Sequence, residues 1–446
     1  MMKILFVSLG CDKNLVDSEV MLGILAKDGY GFTDDETEAD IIVINTCCFI
    51  GDAKEESVNT ILEMAEYKKE GICKALIVTG CLAQRYKQEI MDEIPEVDAV
   101  LGTTSCDSIT EAIASALDGK QILRCEDIDR PAADNGKRVL TTGGHYAHLK
   151  IAEGCDKHCT YCIIPKLRGS YRSYPLERLV REAEELAEQG VKELILVAQE
   201  TTLYGVDLYG EKSLHRLLKK LCGIKGIRWI RVQYCYPEDI YDELIQTIRE
   251  EPKICNYLDL PVQHASDRIL KRMGRRTTRQ DLWDIVSKLR REIPDICLRT
   301  TLISGFPGET REDHEELLAF VKEVKFDRLG VFAYSPEEDT PAADFPDQIP
   351  EELKEERRAE IMELQQEISF EKAEDMIGRE LLCMIEGKLA EEAAYAARTY
   401  KDAPDVDGYI FIQTPGELMS GDFVKARVTG ADEYDLIGEI ADEFTE

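Results

Sequence analysis

Apolar residues in the first 125 positions come in short unbroken runs rather than in alternation. "KILFVSLG", "DIIVINT" and "KALIVTG" are β-branched and of strand length, and helix-period segments such as "NLVDSEVMLGILAKDG" and "DAKEESVNTILEMAEY" follow. Unbroken apolar strands separated by helices predict a parallel sheet covered on both faces. Residues 126–142 lose the periodicity, contain Pro and Gly, and read as a linker. From 143 to 376 the alternation resumes with "HYAHLKIAEG", the helix "PLERLVREAEELAEQG", then "ELILVAQE", "IRWIRVQYC", "NYLDLPVQ", "CLRTTLISGFPG" and "RLGVFAYS". Roughly six such units predict a partial or complete (β/α) barrel, with its chemistry at the carboxyl ends of the strands. A long charged amphipathic helix over 350–377 leads out of it. The remainder, 377–446, holds "LLCMIEGK", "AYAARTY", "YIFIQT", "DFVKARVTG" and "YDLIGEIAD", short strands that predict a small antiparallel barrel of the OB kind. The expected class is α/β, with domains at 1–125, 143–376 and 377–446.

Composition narrows the setting. Of 446 residues 44% are hydrophobic, yet no apolar run approaches the ~20 residues that cross a bilayer, so no membrane partner is expected. "MMKILFVSLG" lacks a small-residue cleavage site and reads as a first strand, which implies a cytoplasmic location. There the glutathione pool keeps thiols reduced, so the 15 cysteines point to metal binding or catalysis rather than disulfides. The formal charge of -33 repels polyphosphate at long range and favours a basic protein as partner.

The cysteines themselves are patterned. Cys11, Cys47 and Cys81 each follow an apolar strand, at the sheet edge where open parallel sheets bind ligands. Small buried cysteines are common at strand ends, but three at equivalent positions point to one shared site. "GCDKHCTYC", residues 154–162, sets Cys155, Cys159 and Cys162 directly after the first barrel strand. Zinc would need a fourth ligand, with His158 nearby. Three thiolates better match a 4Fe-4S cube whose fourth iron stays open. Tyr161, between two of them, either shields such a cluster, contacts a nucleoside or packs as an ordinary loop residue.

The spacing Cys-x3-Cys-x2-Cys after a first barrel strand resembles the radical S-adenosylmethionine (SAM) enzymes, in which the open iron chelates the cofactor's methionine moiety and one-electron reduction yields a 5'-deoxyadenosyl radical. "TLISGFPGET", 301–310, is similar to the turn that lies along the cofactor there, and "VAQET", 197–201, to the strand end that meets its amino group. The resemblance implies that Gln199, Glu200, Gly305, Pro307 and Gly308 bind S-adenosyl-L-methionine, with Tyr161 beside them. With a three-cysteine sheet domain in front and a small β barrel behind, nearly the whole chain resembles the methylthiotransferases. That family carries a second 4Fe-4S cluster on three cysteines, matched here in "LGCDKN", "NTCCFI" and "TGCLAQRY" by Cys11, Cys47 and Cys81. Cys48 stands where a small residue is expected and offers an alternative to Cys47. The last domain resembles a TRAM domain, which contacts substrate.

The family has two branches, one acting on an adenosine in transfer RNA, the other on an aspartate β carbon in the small-subunit ribosomal protein numbered twelve. "SLGCDKNLVDSE" and "YLDLPVQHASD" resemble the second. Charge agrees: from Gly378 onward six basic side chains face sixteen acidic ones, a net of -10, where an RNA-binding domain gathers lysine and arginine. An acidic face suits a basic ribosomal protein, free or within the ribosome. "KRMGRRTTR", 271–279, runs the other way and reads by default as a solvated helix face. The implied reaction uses two clusters, two molecules of SAM and an external electron donor. Its rivals are the transfer RNA enzyme and a non-enzymatic iron-sulfur or zinc scaffold, which would not cleave SAM.

Overall fold

The computed structural model describes residues 1–131, 136–390 and 393–441. They form two compact units, one of Met1–Thr141, Ala152–Ser173 and Ser335–Ala343, the other of Thr142–Ile151, Tyr174–Tyr334 and Asp344–Glu446.

The first unit is built on β1 (Lys3–Ser8), β2 (Gly31–Phe32), β3 (Ile41–Thr46), β4 (Ala75–Gly80), β5 (Ala99–Leu101) and β6 (Ile122–Arg124), in the order β2-β1-β3-β4-β5-β6. Every pairing is parallel. All residues of β3 and β4 are buried, which is why their apolar runs are unbroken. Ile42, Ile44, Leu76 and Val78 enter one core, Ile41, Val43, Ala75 and Ile77 the other, as strand alternation requires. β2, β5 and β6 have two or three residues each, too few to show a period. Of the expected linker, residues 132–135 lie outside the described residues. Its end is not loose: Val139 N donates to Glu19 O, Thr141 N to Glu19 Oε1 at 2.8 Å, and buried Arg138 pairs with Glu19 at 3.5 Å.

In the second unit six strands, Tyr146–Lys150, Glu193–Val197, Trp229–Val232, Ile254–Asp259, Cys297–Ser304 and Arg328–Ala333, pair in parallel in chain order. The first and last do not pair with each other, so the expected (β/α) barrel is an open one. The long helix runs over Glu351–Glu374. Five strands after it close a barrel in the order Glu380–Lys388, Ala394–Thr399, Ile410–Gln413, Leu436–Ile440, Phe423–Ala431. It is not wholly antiparallel, because Ile410–Gln413 and Leu436–Ile440 pair in parallel. A ring with an odd number of strands cannot alternate direction all the way round, so one parallel pair is unavoidable.

This barrel is fastened to the amino-terminal edge of the six-stranded sheet by buried ions. Arg231 Nε donates to Glu193 Oε1 at 2.8 Å and Arg398 Nη2 to Glu193 Oε2 at 2.7 Å, while Arg398 Nε reaches Glu386. Arg299 pairs with Asp259 and Asp407, Arg328 with Asp402, and Tyr257 Oη donates to Asp407. Glu386, Asp402 and Asp407 are therefore internal counter-ions rather than free surface charge. The 271–279 segment is also less solvated than expected. Arg275 is buried and donates to Pro261 O, and Arg272 donates to Pro307 O, so only Lys271 and Arg276 of its basic residues are exposed. No described helix is long and apolar enough to cross a membrane.

Candidate metal centre

Both cysteine triads belong to the first unit. Cys11, Cys47 and Cys81 follow β1, β3 and β4, neighbouring parallel strands, so their loops leave the same sheet edge side by side. Gly10 has φ +89°, and a Cβ there would stand 2.8 Å from Cys47 Sγ; only glycine lets the Cys11 loop approach Cys47 so closely. Two polar side chains fix the loops. Asn14 Nδ2 donates to Leu9 O and Thr46 O, tying the first loop to the second. Ser57 Oγ accepts from Cys47 N and donates to Cys47 O. Neither residue has a recognisable signal in the sequence beyond lying near a cysteine.

Burial pushes the Cys47 thiol up to about 12, and the neighbouring Cys81 and Cys11 push in the same direction. Burial likewise raises Cys81, against the opposing charge of Arg168. Cys11 thus lies close enough to act on both of the other thiols. Cys48 lies in the apolar core with Ile42, Ile44 and Leu82, and burial raises its thiol too.

The second triad sits in a loop closed at its base by a short antiparallel ribbon, Ala152–Glu153 with Arg172–Ser173. Cys155 N donates to Gly169 O and Cys162 N to Cys159 O. Burial raises the Cys162 thiol, followed by the charges of Cys159 and Cys155. Tyr161 is half-buried in this loop. At Gly154, φ is +79° and a Cβ would stand 2.1 Å from Ser170 O. Gly154→Ala is expected to lower stability by about 2 kcal/mol or more, through strain and overlap together. Denaturant unfolding checks this, and a loss below about 0.5 kcal/mol would mean the loop relaxes freely.

Among the described residues no three His, Cys, Asp or Glu side chains converge tightly enough to hold a single metal ion. Thiolates around one zinc stand about 4 Å apart, given Zn–S bonds of about 2.3 Å. A cube binds each thiolate to a different iron, and three cysteine thiols per triad match that count. Each triad offers three soft sulfur donors of the kind that iron-sulfur clusters require.

The remaining predicted site residues lie in the second unit. Glu200 is fully buried, and its Oε1 accepts from Thr202 N at 2.8 Å and from the Thr202 hydroxyl. Gln199 is half-buried at the end of Glu193–Val197. The turn with Gly305, Pro307 and Gly308 takes positive φ at both glycines. Glu309 organises it: Oε2 accepts from Gly305 N and Phe306 N at 2.9 and 3.2 Å, while Arg357 holds Oε1 at 2.8 Å. Glu309 was legible only as part of the "GFPGET" string, since nothing in its spacing marks it as the turn's acceptor.

Family models match three stretches: the uncharacterized protein family UPF0004 at 3–102, the radical SAM superfamily at 149–321 and the TRAM domain at 377–441. Among solved structures, the radical S-adenosylmethionine methyltransferase TsrM from Kitasatospora setae, with cobalamin and a 4Fe-4S cluster bound, superposes with a TM-score of 0.54 at 14% identity. It covers 77% of this chain and 74% of its own, a likeness of fold. With the radical SAM match, 66% identity to a curated methylthiotransferase makes the chain a radical SAM enzyme, a transferase of the methylthiotransferase class. Two curated relatives sharpen this. A ribosomal protein uS12 methylthiotransferase RimO from Lachnoclostridium phytofermentans is 66% identical over 98% of this chain and 99% of its own. Another, from Clostridioides difficile, is 50% identical over 100% of both. The chain belongs to the RimO family of methylthiotransferases.

Proposed function

We propose that this chain methylthiolates the β carbon of one aspartate in ribosomal protein uS12. In this reading one 4Fe-4S cluster is held by Cys155, Cys159 and Cys162, a second by Cys11, Cys47 and Cys81, and S-adenosylmethionine serves twice. When bound, these groups supply the one-electron chemistry needed to break an unactivated C–H bond. The observation that carries the reading is the gathering of two separate thiol triads in one compact unit, one of them on three neighbouring loops of a single sheet edge.

The protein's own residues bind and orient. Cys11, Cys47 and Cys81 come from loops pinned by Asn14 and Ser57, so little ordering remains to be done on binding. Gln199, Glu200, Tyr161, Gly305, Pro307 and Gly308 are assigned to the SAM cofactor. Glu309 holds the amides of the turn before any ligand arrives, and Thr202 holds the Glu200 carboxylate. Functional division follows the sequence boundaries, with 1–125 and 143–376 carrying the triads and 377–446 meeting the partner. Glu417, Asp432, Glu433 and Glu439 stay exposed there for a basic protein, with encounter steered by charge in the cytoplasm. An external donor supplies electrons.

The test is an anaerobic reaction of reconstituted protein with SAM, reductant, uS12 and transfer RNA, read by mass spectrometry. The expected outcome is one methylthio group on a uS12 aspartate with 5'-deoxyadenosine formed. Modification of adenosine instead would move the chain to the transfer RNA branch, and no 5'-deoxyadenosine would reduce it to a scaffold.

A further inference from the structure

Arg168 ends the short helix Ile164–Arg168, which starts two positions after Cys162. Its side chain is buried, with 2% exposure. Nη1 donates to Asp17 at 2.7 Å and Glu153 at 3.2 Å, and Nη2 donates to Asn14 Oδ1. Asn14 Oδ1 lies 3.8 Å from Cys81 Sγ. The guanidinium charge also acts on Cys47. One peptide thus carries a thiol of one triad at one end and a buried cation against the other triad at its far end.

We propose that Arg168 is a positioning residue that sets the reduction potential of the cluster on Cys11, Cys47 and Cys81, acting by its buried charge beside Asn14 and Cys81. This rests on the two-cluster reading given above. Cluster potentials depend on net charge and burial around the sulfurs, and Arg168 places a buried positive charge on the same Asn14 oxygen that Cys81 Sγ approaches. Taking up one electron adds a negative charge, which a buried guanidinium stabilises; no proton needs to move. Arg168 is not free to act alone, since Asp17 and Glu153 offset its charge. The two sides of the ion cluster must therefore shift the potential in opposite directions.

The experiment uses the full chain with Cys155, Cys159 and Cys162 replaced by alanine, so that only one cluster remains. Reduction by dithionite through mediators is followed by electron paramagnetic resonance, with iron and sulfide measured alongside. Arg168→Gln is expected to lower the one-electron reduction equilibrium constant about tenfold, which is about 59 mV for one electron. Asp17→Asn is expected to raise it, and Arg168→Lys to recover part of the loss. Should Arg168→Gln fail to hold iron, the upward shift of Asp17→Asn decides. Shifts of the same sign, or none beyond about twofold with iron unchanged, overturn the proposal. A parent protein that holds no iron on these three cysteines overturns the two-cluster reading itself.

Discussion

Cys159→Ala is expected to bring reductive cleavage of SAM down to background, a loss of at least about a thousandfold, since enzymatic accelerations usually exceed about 10⁶. Alanine offers no donor, so the iron that Cys159 would ligate loses its only protein bond. Bound iron in reconstituted protein should fall from about eight to about four per chain, the content of one remaining cube. The triad of Cys11, Cys47 and Cys81 is built on other strands and pinned by Asn14 and Ser57, so that half of the iron should survive. Cys48→Ala is the control: its thiol lies in an apolar core, and iron content should be unchanged. Iron analysis together with chromatography of 5'-deoxyadenosine reads both effects. Cleavage persisting above about 10% in Cys159→Ala would show that these thiols do not hold the reactive centre.

The second large effect concerns stability. Glu193 is fully buried between Arg231 and Arg398, so Glu193→Gln leaves two buried guanidinium groups short of a counter-ion. Breaking one side of such a pair costs about 3–5 kcal/mol, measured by denaturant unfolding of the full chain. Burial pushes the Glu193 carboxyl up, but Arg398 and Arg231 overcome it and hold the group below the ordinary glutamate value. A carboxyl lowered in the folded state contributes stability that is complete above the unfolded value of about 4.3 and is lost as pH falls through the folded value. The difference between wild type and Glu193→Gln should therefore be constant near neutrality and shrink below about pH 4. A difference that grows on acidification would contradict the pairing.

The same ions refine the charge argument. Counting from Gly378 gives a net of -10, but Glu386, Asp402 and Asp407 are committed to Arg398, Arg328 and Arg299. The charge left for a basic partner is smaller than the count suggests. The basic run 271–279 shrinks in the same way, because Arg272 and Arg275 hold backbone carbonyls.

The sequence by itself determined the class of fold and the places where its patterned thiols stand. Burial on both sheet faces leaves unbroken apolar runs such as "DIIVINT", and thiols that are to share a site recur at strand ends or in tight spacing, so both are local signals. Only the tertiary structure decided which residues serve those thiols. Arg168 follows Cys162 in the chain yet faces Cys81, and Asn14 meets Cys81 across 67 positions. Glu193 reads as an ordinary strand residue until Arg398, 205 positions away, reaches it. The parallel closure of the last barrel is likewise invisible in strand pattern, because alternation records which face a residue takes and not the direction of its neighbour. Local periodicity reports burial, whereas counter-charges and hydrogen-bond partners depend on loops brought together from distant parts of the chain, and no local pattern encodes that meeting.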